Sequence, residues 1–201
     1  MSDSLFTPIA IGGLSIKNRI LMPAMHMNMC RNFAVSDRLI RFYRERAEGG
    51  AGAIVVGYAT VDEYSGGPGN IGCHHDDHIP GLTRLAAAIK EGGARAGIQL
   101  NHAGRYNPSF FLGGRAAVAP SPVPSRLTRE TPRELSLDEI AATIRRFSDA
   151  AGRAHSRPAC RPPDSGRPAS QTMAMTTAAA AAIRSQLPRA TPRRRCTKAG
   201  G

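Results

Sequence analysis

The sequence predicts an α/β fold with a parallel sheet, closed as a (β/α)8 barrel rather than laid open as a doubly wound sheet. Three observations carry that expectation. Apolar strand-like runs alternate with helical patterns and Gly-bearing turns over residues 19–154. The middle run, Ala53–Ala59 (AIVVGYA), is continuously apolar, as a strand covered on both faces requires. Polar side chains gather at the C-terminal ends of all three strands: His26 and Asn28, Tyr58 and Thr60, Gln99 and His102. A barrel assembles its site at that face from several strand ends. A dinucleotide-binding open sheet would carry GxGxxG directly after its first strand, and none stands there.

Each element has its own signal. Arg19–Met25 (RILMPAM) reads as a short strand after a turn at Gly12-Gly13. Ser36 is the expected N-cap of a helix over Asp37–Glu48, whose Leu39, Ile40, Tyr43 and Ala47 share one face. Gly49-Gly50 stops it. Ala53–Ala59 follows as the second strand, then a Gly-rich loop over Ser65–Gly72. A second helix spans about Pro80 to Glu91, apolar at Leu82, Leu85, Ala86 and Ile89, and stops at Gly92-Gly93. Ala96–Asn101 is the third strand. A last helix covers Leu137–Ala154, with Ser136 as N-cap and Glu139 three residues on completing a capping box.

Composition divides the chain. Its 201 residues suffice for one ordinary core, and 41% apolar content fits a globular protein. The net charge is +12, but residues 1–154 hold only +4 of it and residues 155–201 hold +8. That last segment has six prolines and four large apolar residues (Met173, Met175, Ile183, Leu187), too few to offset its ordering entropy. A disordered basic tail is expected there, with an Ala-rich stretch from Thr176 to Leu187 able to turn helical. Arg193-Arg194-Arg195 reads as a solvated charge run, so no specific nucleic acid is expected as a partner. No apolar run is long enough for a membrane, and the N-terminus has no secretory pattern. Four scattered cysteines without a CxxC pair point to a reducing, cytoplasmic setting. No feature sets an oligomeric state.

Two clusters could carry chemistry. Residues 98–106 (IQLNHAGRY) open as an apolar strand and close on an amide, an imidazole and a guanidinium. Gln99 offers a donor and an acceptor together, while His102 and Arg105 either brace the turn or touch a ligand. Cys73-His74-His75-Asp76-Asp77-His78 has zinc-like spacing but no second half-site. It reads instead as a polar loop entering a helix, with Asp77 near the positive end, and no metal is expected.

Six ordered blocks carry a resemblance: LFTPIAIGGLSIKNRILMPAMH (5–26), FYRERAEGGAGAIVVGYA (42–59), HDDHIPGL (75–82), GIQLNHAGRY (97–106), VAPSP (118–122) and RELSLDEI (133–140). In order and spacing they resemble the Old Yellow Enzyme family of FMN-dependent oxidoreductases, and more narrowly its 2,4-dienoyl-CoA reductase-like NADH:flavin oxidoreductases. The resemblance covers about residues 5–154. It implies a TIM barrel of which this chain supplies about the first three β/α units. It implies FMN as cofactor, NADH or NADPH as hydride donor, and an activated alkene, enoate or dienoyl thioester as small-molecule substrate. It places Pro23, Ala24, Met25 and His26 against the flavin, Tyr58 (or, with a shifted alignment, Gly57) near its ring, and Gln99 at its pyrimidine edge. His26 is then a flavin contact or a packed core histidine, and Asn28 falls where some relatives contact substrate. The small residue usual in the family at position 58 is a tyrosine here.

The family's pattern continues past Ala154 into strands that carry the proton-donating pair, an Arg over the flavin and the phosphate-binding glycine turn. Residues 155–201 show none of these. Two expectations follow: an FMN oxidoreductase truncated after its third strand, with no identifiable catalytic proton donor, or a non-catalytic truncated or frameshifted remnant of that family. A third, distant one is a nucleic-acid-associated protein acting through the basic tail.

Overall fold

The computed structural model describes residues 4–155. The Ala-rich stretch, the Arg193–Arg195 cluster and the disorder expected of the tail lie outside the described residues. His155, assigned above to the tail, is the last residue of a helix.

A short antiparallel hairpin opens the fold, β1 (Ile9–Ile11) and β2 (Leu14–Ile16), turning at Gly12, whose φ is +56°. The glycines marked the turn, but arms of three residues are too short to show alternation. The central sheet is parallel. It contains β3 (Leu21–Met22), β4 (Ala53–Thr60), β5 (Ile71–Gly72) and β6 (Arg95–Asn101). Residues 53–54 of β4 pair with both β3 and β6, and residues 59–60 with both β5 and β6. A strand has only two edges, so β3 and β5 share one edge of β4 and β6 takes the other.

The first strand is shorter than expected. Its ladder holds only Leu21 and Met22, and contact with β4 resumes as a single bridge from His26 to Gly57. Pro23 explains the break, because it has no N–H to give the ladder. The freed edge beyond is taken by β5, which a loop reading of residues 65–72 did not anticipate.

The helices follow the expected pattern closely. Helix α1 (Asp37–Glu48) is capped by Ser36, whose Oγ accepts from the Leu39 N–H at 3.2 Å. Leu39, Ile40, Tyr43 and Ala47 are all buried. Helix α2 (Ile79–Glu91) buries Leu82, Leu85, Ala88 and Ile89, and the expected Ala86 packs half-buried against the same core. Helix α3 (Leu137–His155) has the reciprocal capping box: Ser136 N–H donates to Glu139 Oε2 at 2.8 Å and Glu139 N–H to Ser136 Oγ at 3.2 Å. The short strands β7 (Val118–Ala119) and β8 (Arg133–Glu134) pair in parallel before it.

One core results. Ile54, Val56, Ala59 and Val61 of β4 and its extension pack with α1 and α2, and Ala150 and Ala154 of α3 join them. Asn18 ties the entrance together: its Nδ2 donates to Gly50 O at 2.8 Å and its Oδ1 accepts from the Ile20 N–H at 3.0 Å. Burial predicts a sharp contrast between two leucines. Leu85→Ala, at a fully buried site, is expected to cost roughly 2–5 kcal/mol. Leu137→Ala, at a site 84% exposed, should stay within about 0.5 kcal/mol. Urea unfolding of both variants checks the difference.

Candidate functional site

The ladder between β4 and β6 is interrupted at its far end. Val56 pairs with Ile98 and Ala59 with Leu100, so Gly57 and Tyr58 together oppose the single residue Gln99. Such a two-for-one bulge re-aims side chains at a strand end and is frequent at barrel rims. The Gly57–Tyr58 peptide is cis. A Cβ on Gly57 would stand 2.8 Å from the Ala24 Cβ and 3.1 Å from the Gln99 Cβ. The three strand ends therefore meet where no methyl fits, and glycine is needed there for close approach.

The face around this point is open. Pro23, Met25, His26, Asn28 and Gln99 are exposed, and Tyr58 is half-buried. The Gln99 amide makes no hydrogen bond to the described residues, so its donor and acceptor are both available. The His26 and Tyr58 rings lie 5.2 Å apart, tilted by 46°. Partial burial of the otherwise exposed ring lowers the His26 pKa below the ordinary 6.5. Burial raises the Tyr58 pKa, with the Asn70 amide opposing it. His26, Asn28, Tyr58, Gly69 and Asn70 line one small cleft beside the bulge.

The loop Ser65–Gly72 is pinned over the segment after β3. Cys30 N–H donates to Gly69 O at 3.1 Å, Phe33 N–H to Pro68 O at 2.9 Å, and Gly72 N–H to Phe33 O at 2.8 Å. Asn28 has φ +49°, and its Oδ1 occupies the space a Cβ on Gly69 would need. Asn28 is thereby fixed at the cleft mouth.

The rim beyond β4 and β6 is held by a buried carboxylate. Asp62 Oδ1 accepts from Ser65 Oγ at 2.7 Å and from the Tyr64 N–H at 3.0 Å, while Oδ2 accepts from Arg146 Nη1 of α3 at 3.1 Å. His102 Nε2 stands 3.5 Å from Asp62 Oδ1, and His102 Nδ1 accepts from the Gly104 N–H at 3.0 Å. His102 braces the turn, as one of its two expected roles required. Arg105 leans on its neighbour Tyr106.

The run Cys73–His78 starts buried at Cys73 and becomes exposed at His75, Asp76 and Asp77. Cys73 is fully buried and its Sγ donates to Ala150 O at 3.2 Å. His74 Nδ1 lies 2.8 Å from Thr60 Oγ1, and the His74 ring meets those of His75 and His78 edge to face. Thr60, counted above among the polar strand ends, is buried in this contact instead. Among the described residues no group of three or more His, Cys, Asp or Glu side chains is placed to hold a metal.

Of the expected site residues, Ala24 and Gln99 meet at the bulge, His26 and Tyr58 meet beside it, and Pro23, Met25 and Asn28 share the open face. Gly57, the alternative to Tyr58, is the residue in the gap itself. Asp62, Ser65, Asn70 and Arg146 were missed. Asp62-x-x-Ser65 is the one local signal that pointed to a turn closed by side chains; Arg146 lies 84 residues from its partner and left none.

Comparison with known proteins converges on one family. The model of the NADH:flavin oxidoreductase / NADH oxidase family matches residues 4–159. A metal reductase of Desulforamulus reducens is 49% identical over 150 residues, covering 75% of this chain and 22% of its own length. A solved 2-naphthoyl-CoA reductase complex is 33% identical with a TM-score of 0.71, covering 76% of this chain and 26% of that one. The old yellow enzyme homologue from Zymomonas mobilis is 28% identical with a TM-score of 0.68, over 75% and 45% of the two chains. The chain thus spans less than half the length of each of these proteins.

Two outcomes test this geometry. Gly57→Val is expected to destabilise the chain and to displace Gln99, because its side chain has no room beside Ala24; a melting temperature and a Gln99 amide spectrum equal to wild type would contradict it. The second concerns acid. Burial, then His78 and His75, push the His74 pKa down to about 4, and burial lowers that of His102. Both groups titrate near 6.5 when unfolded, so their contribution is complete above pH 6.5 and is lost as pH falls through the lower folded values. Urea midpoints should fall between pH 7 and pH 4, and less steeply in His74→Gln.

Proposed function

The chain belongs to the NADH:flavin oxidoreductase / NADH oxidase family, and from that premise we propose that residues 5–154 form the ring-facing part of an FMN-dependent oxidoreductase. One observation supports this above the others: the unpaired Gln99 amide stands opposite the Gly57–Tyr58 bulge, on an open face shared with Ala24. Bound FMN would supply hydride chemistry between NADH or NADPH and an activated alkene, such as an enoate or a dienoyl thioester.

The residues present suit a planar, amphipathic ring. The Gln99 amide offers one donor and one acceptor to an edge of alternating N–H and C=O groups. Pro23, Ala24 and Met25 give it an apolar surface, and Gly57 keeps the strands from intruding. Burial shifts His26 toward its uncharged form, in which the ring can both donate and accept a hydrogen bond. Tyr58 brings a protonated phenol to the cleft, held near the Asn70 amide. Asn28, fixed against Gly69, reaches a small-molecule substrate from the side of the cleft. The setting proposed is cytoplasmic, in keeping with two buried free cysteines and with no described helix long and apolar enough to cross a membrane.

A second reading is favoured by a separate observation. The composition changes at His155, within five residues of the end of the family match at 159, and the following sequence shares no motif with the family. On this reading the isolated chain is a non-catalytic remnant, truncated or frameshifted, that holds flavin poorly. FMN titration separates the two. The oxidoreductase reading expects the refolded chain to quench flavin fluorescence saturably. Gln99→Leu should weaken binding about tenfold or more, given about 0.5–1.5 kcal/mol for each neutral hydrogen bond lost. No uptake by the wild-type chain overturns this reading and leaves the remnant.

A further inference from the structure

The Asp62 carboxylate is 5% exposed, yet it belongs to none of the residues that face the cleft. Its two oxygens are divided between donor sets from different elements. Oδ1 takes the Ser65 hydroxyl and the Tyr64 N–H of its own turn, and Oδ2 takes Arg146 from α3. His102 approaches from the far end of β6. Its Nδ1 accepts the Gly104 N–H, so the neutral ring carries its proton on Nε2. That Nε2 is buried without a hydrogen-bond partner, and Asp62 Oδ1 is 3.5 Å away.

We infer that Asp62 is a positioning residue for Gln99: it holds the Nε2-protonated form of His102 and, through it, the turn that ends β6. The inference rests on the flavin reading of Gln99 for its functional meaning. Thr60–Asn101 is the last pair of the β4–β6 ladder, so Asp62 and His102 make the first side-chain contact beyond it. Ala103 N–H to Ser65 O at 3.1 Å then continues the join. Gln99 sits three residues before His102, opposite the bulge, where the ladder itself is broken. The pairs at Leu100 and Asn101 are the only ladder contacts between Gln99 and the end of β6, and the Asp62 join anchors the strand directly after them.

The chemistry demands a carboxylate in this place. An asparagine has one acceptor oxygen and one NH2 group. Whichever way it turned, the NH2 would face a donor: Arg146 in one orientation, the Ser65–Tyr64–His102 side in the other. The charges around His102 also give a signed signature. Asp62 favours its protonated form, and Arg146 opposes it.

The test uses the full 201-residue chain. Nitrogen-15 NMR of the imidazole should find His102 protonated on Nε2 at pH 7. The His102 pKa should fall in Asp62→Asn and rise in Arg146→Gln, and FMN affinity should drop about tenfold in Asp62→Asn, with partial recovery in Asp62→Glu. A proton on Nδ1 in the wild type overturns the inference. So does a folded Asp62→Asn whose FMN affinity stays within twofold of wild type. If Asp62→Asn does not fold, Arg146→Gln decides alone, because Arg146 is half exposed: an unmoved His102 pKa rejects the link. If the wild-type chain takes up no FMN, the flavin reading falls separately. The Gln99 side-chain amide resonances then serve as readout, where a shift in the Asp62 variant supports the inference and an unchanged spectrum overturns it.

Discussion

Where Ala24, Gly57 and Gln99 meet, the structure has less room than one methyl group needs. This constraint shapes the rest of the sheet. A central strand that bore a side chain at position 57 would push its neighbours apart at the end where they must converge. Glycine there permits contact, but it weakens the strand and leaves no side chain to pack. The compensation comes from outside the ladder. The bulge puts two residues of β4 against one of β6, the His26 bridge secures one flank, and the Asp62 join secures the other.

That arrangement assigns different physics to the helix-covered face of the sheet and to the end of its ladder. On the helix side, Ile54, Val56 and Ala59 are buried by α1 and α2, and dispersion with apolar burial holds the layers together. Beyond the ladder's end, the joining forces are polar. A buried carboxylate loses much hydration and is tolerated only with its lone pairs filled. Asp62 meets that condition with three donors from two elements. The half-exposed Arg146 keeps part of its own hydration while satisfying Oδ2, which limits the desolvation cost of the pair.

Much of this was legible in the sequence, and the unread parts share a cause. The helix α1 was readable to the residue, because Ser36, a four-residue apolar stripe and Gly49-Gly50 all agree on its limits. The capping box of α3 was readable for the same reason. Gln99 stood out as an amide where an apolar strand should have ended. The shortening of β3 was not anticipated, although Pro23 states it once the pairing is known. Pairing register is a property of two strands, and neither sequence alone shows that Gly57 and Tyr58 share one partner. Sequence alone therefore does not show that both residues lie opposite Gln99. Asp62 and Arg146 lie still further from local signals, since their contact depends on the placement of α3.

Tyr43 connects these two levels. It lies on the predicted inner stripe of α1, is wholly buried, and reads from sequence as ordinary core. In the structure its hydroxyl is buried without a hydrogen bond of normal geometry, and it faces the backbone of Gly57. A phenylalanine would fill the same apolar space, so packing alone does not call for the hydroxyl. Its position does set it apart: the hydroxyl lies toward the Gly57 backbone, where the β4–β6 register shifts. The core and the candidate site are therefore not separate layers joined by chance. The same helix face that buries Leu39 and Ala47 also brings a polar atom toward the Gly57 backbone, at the bulge.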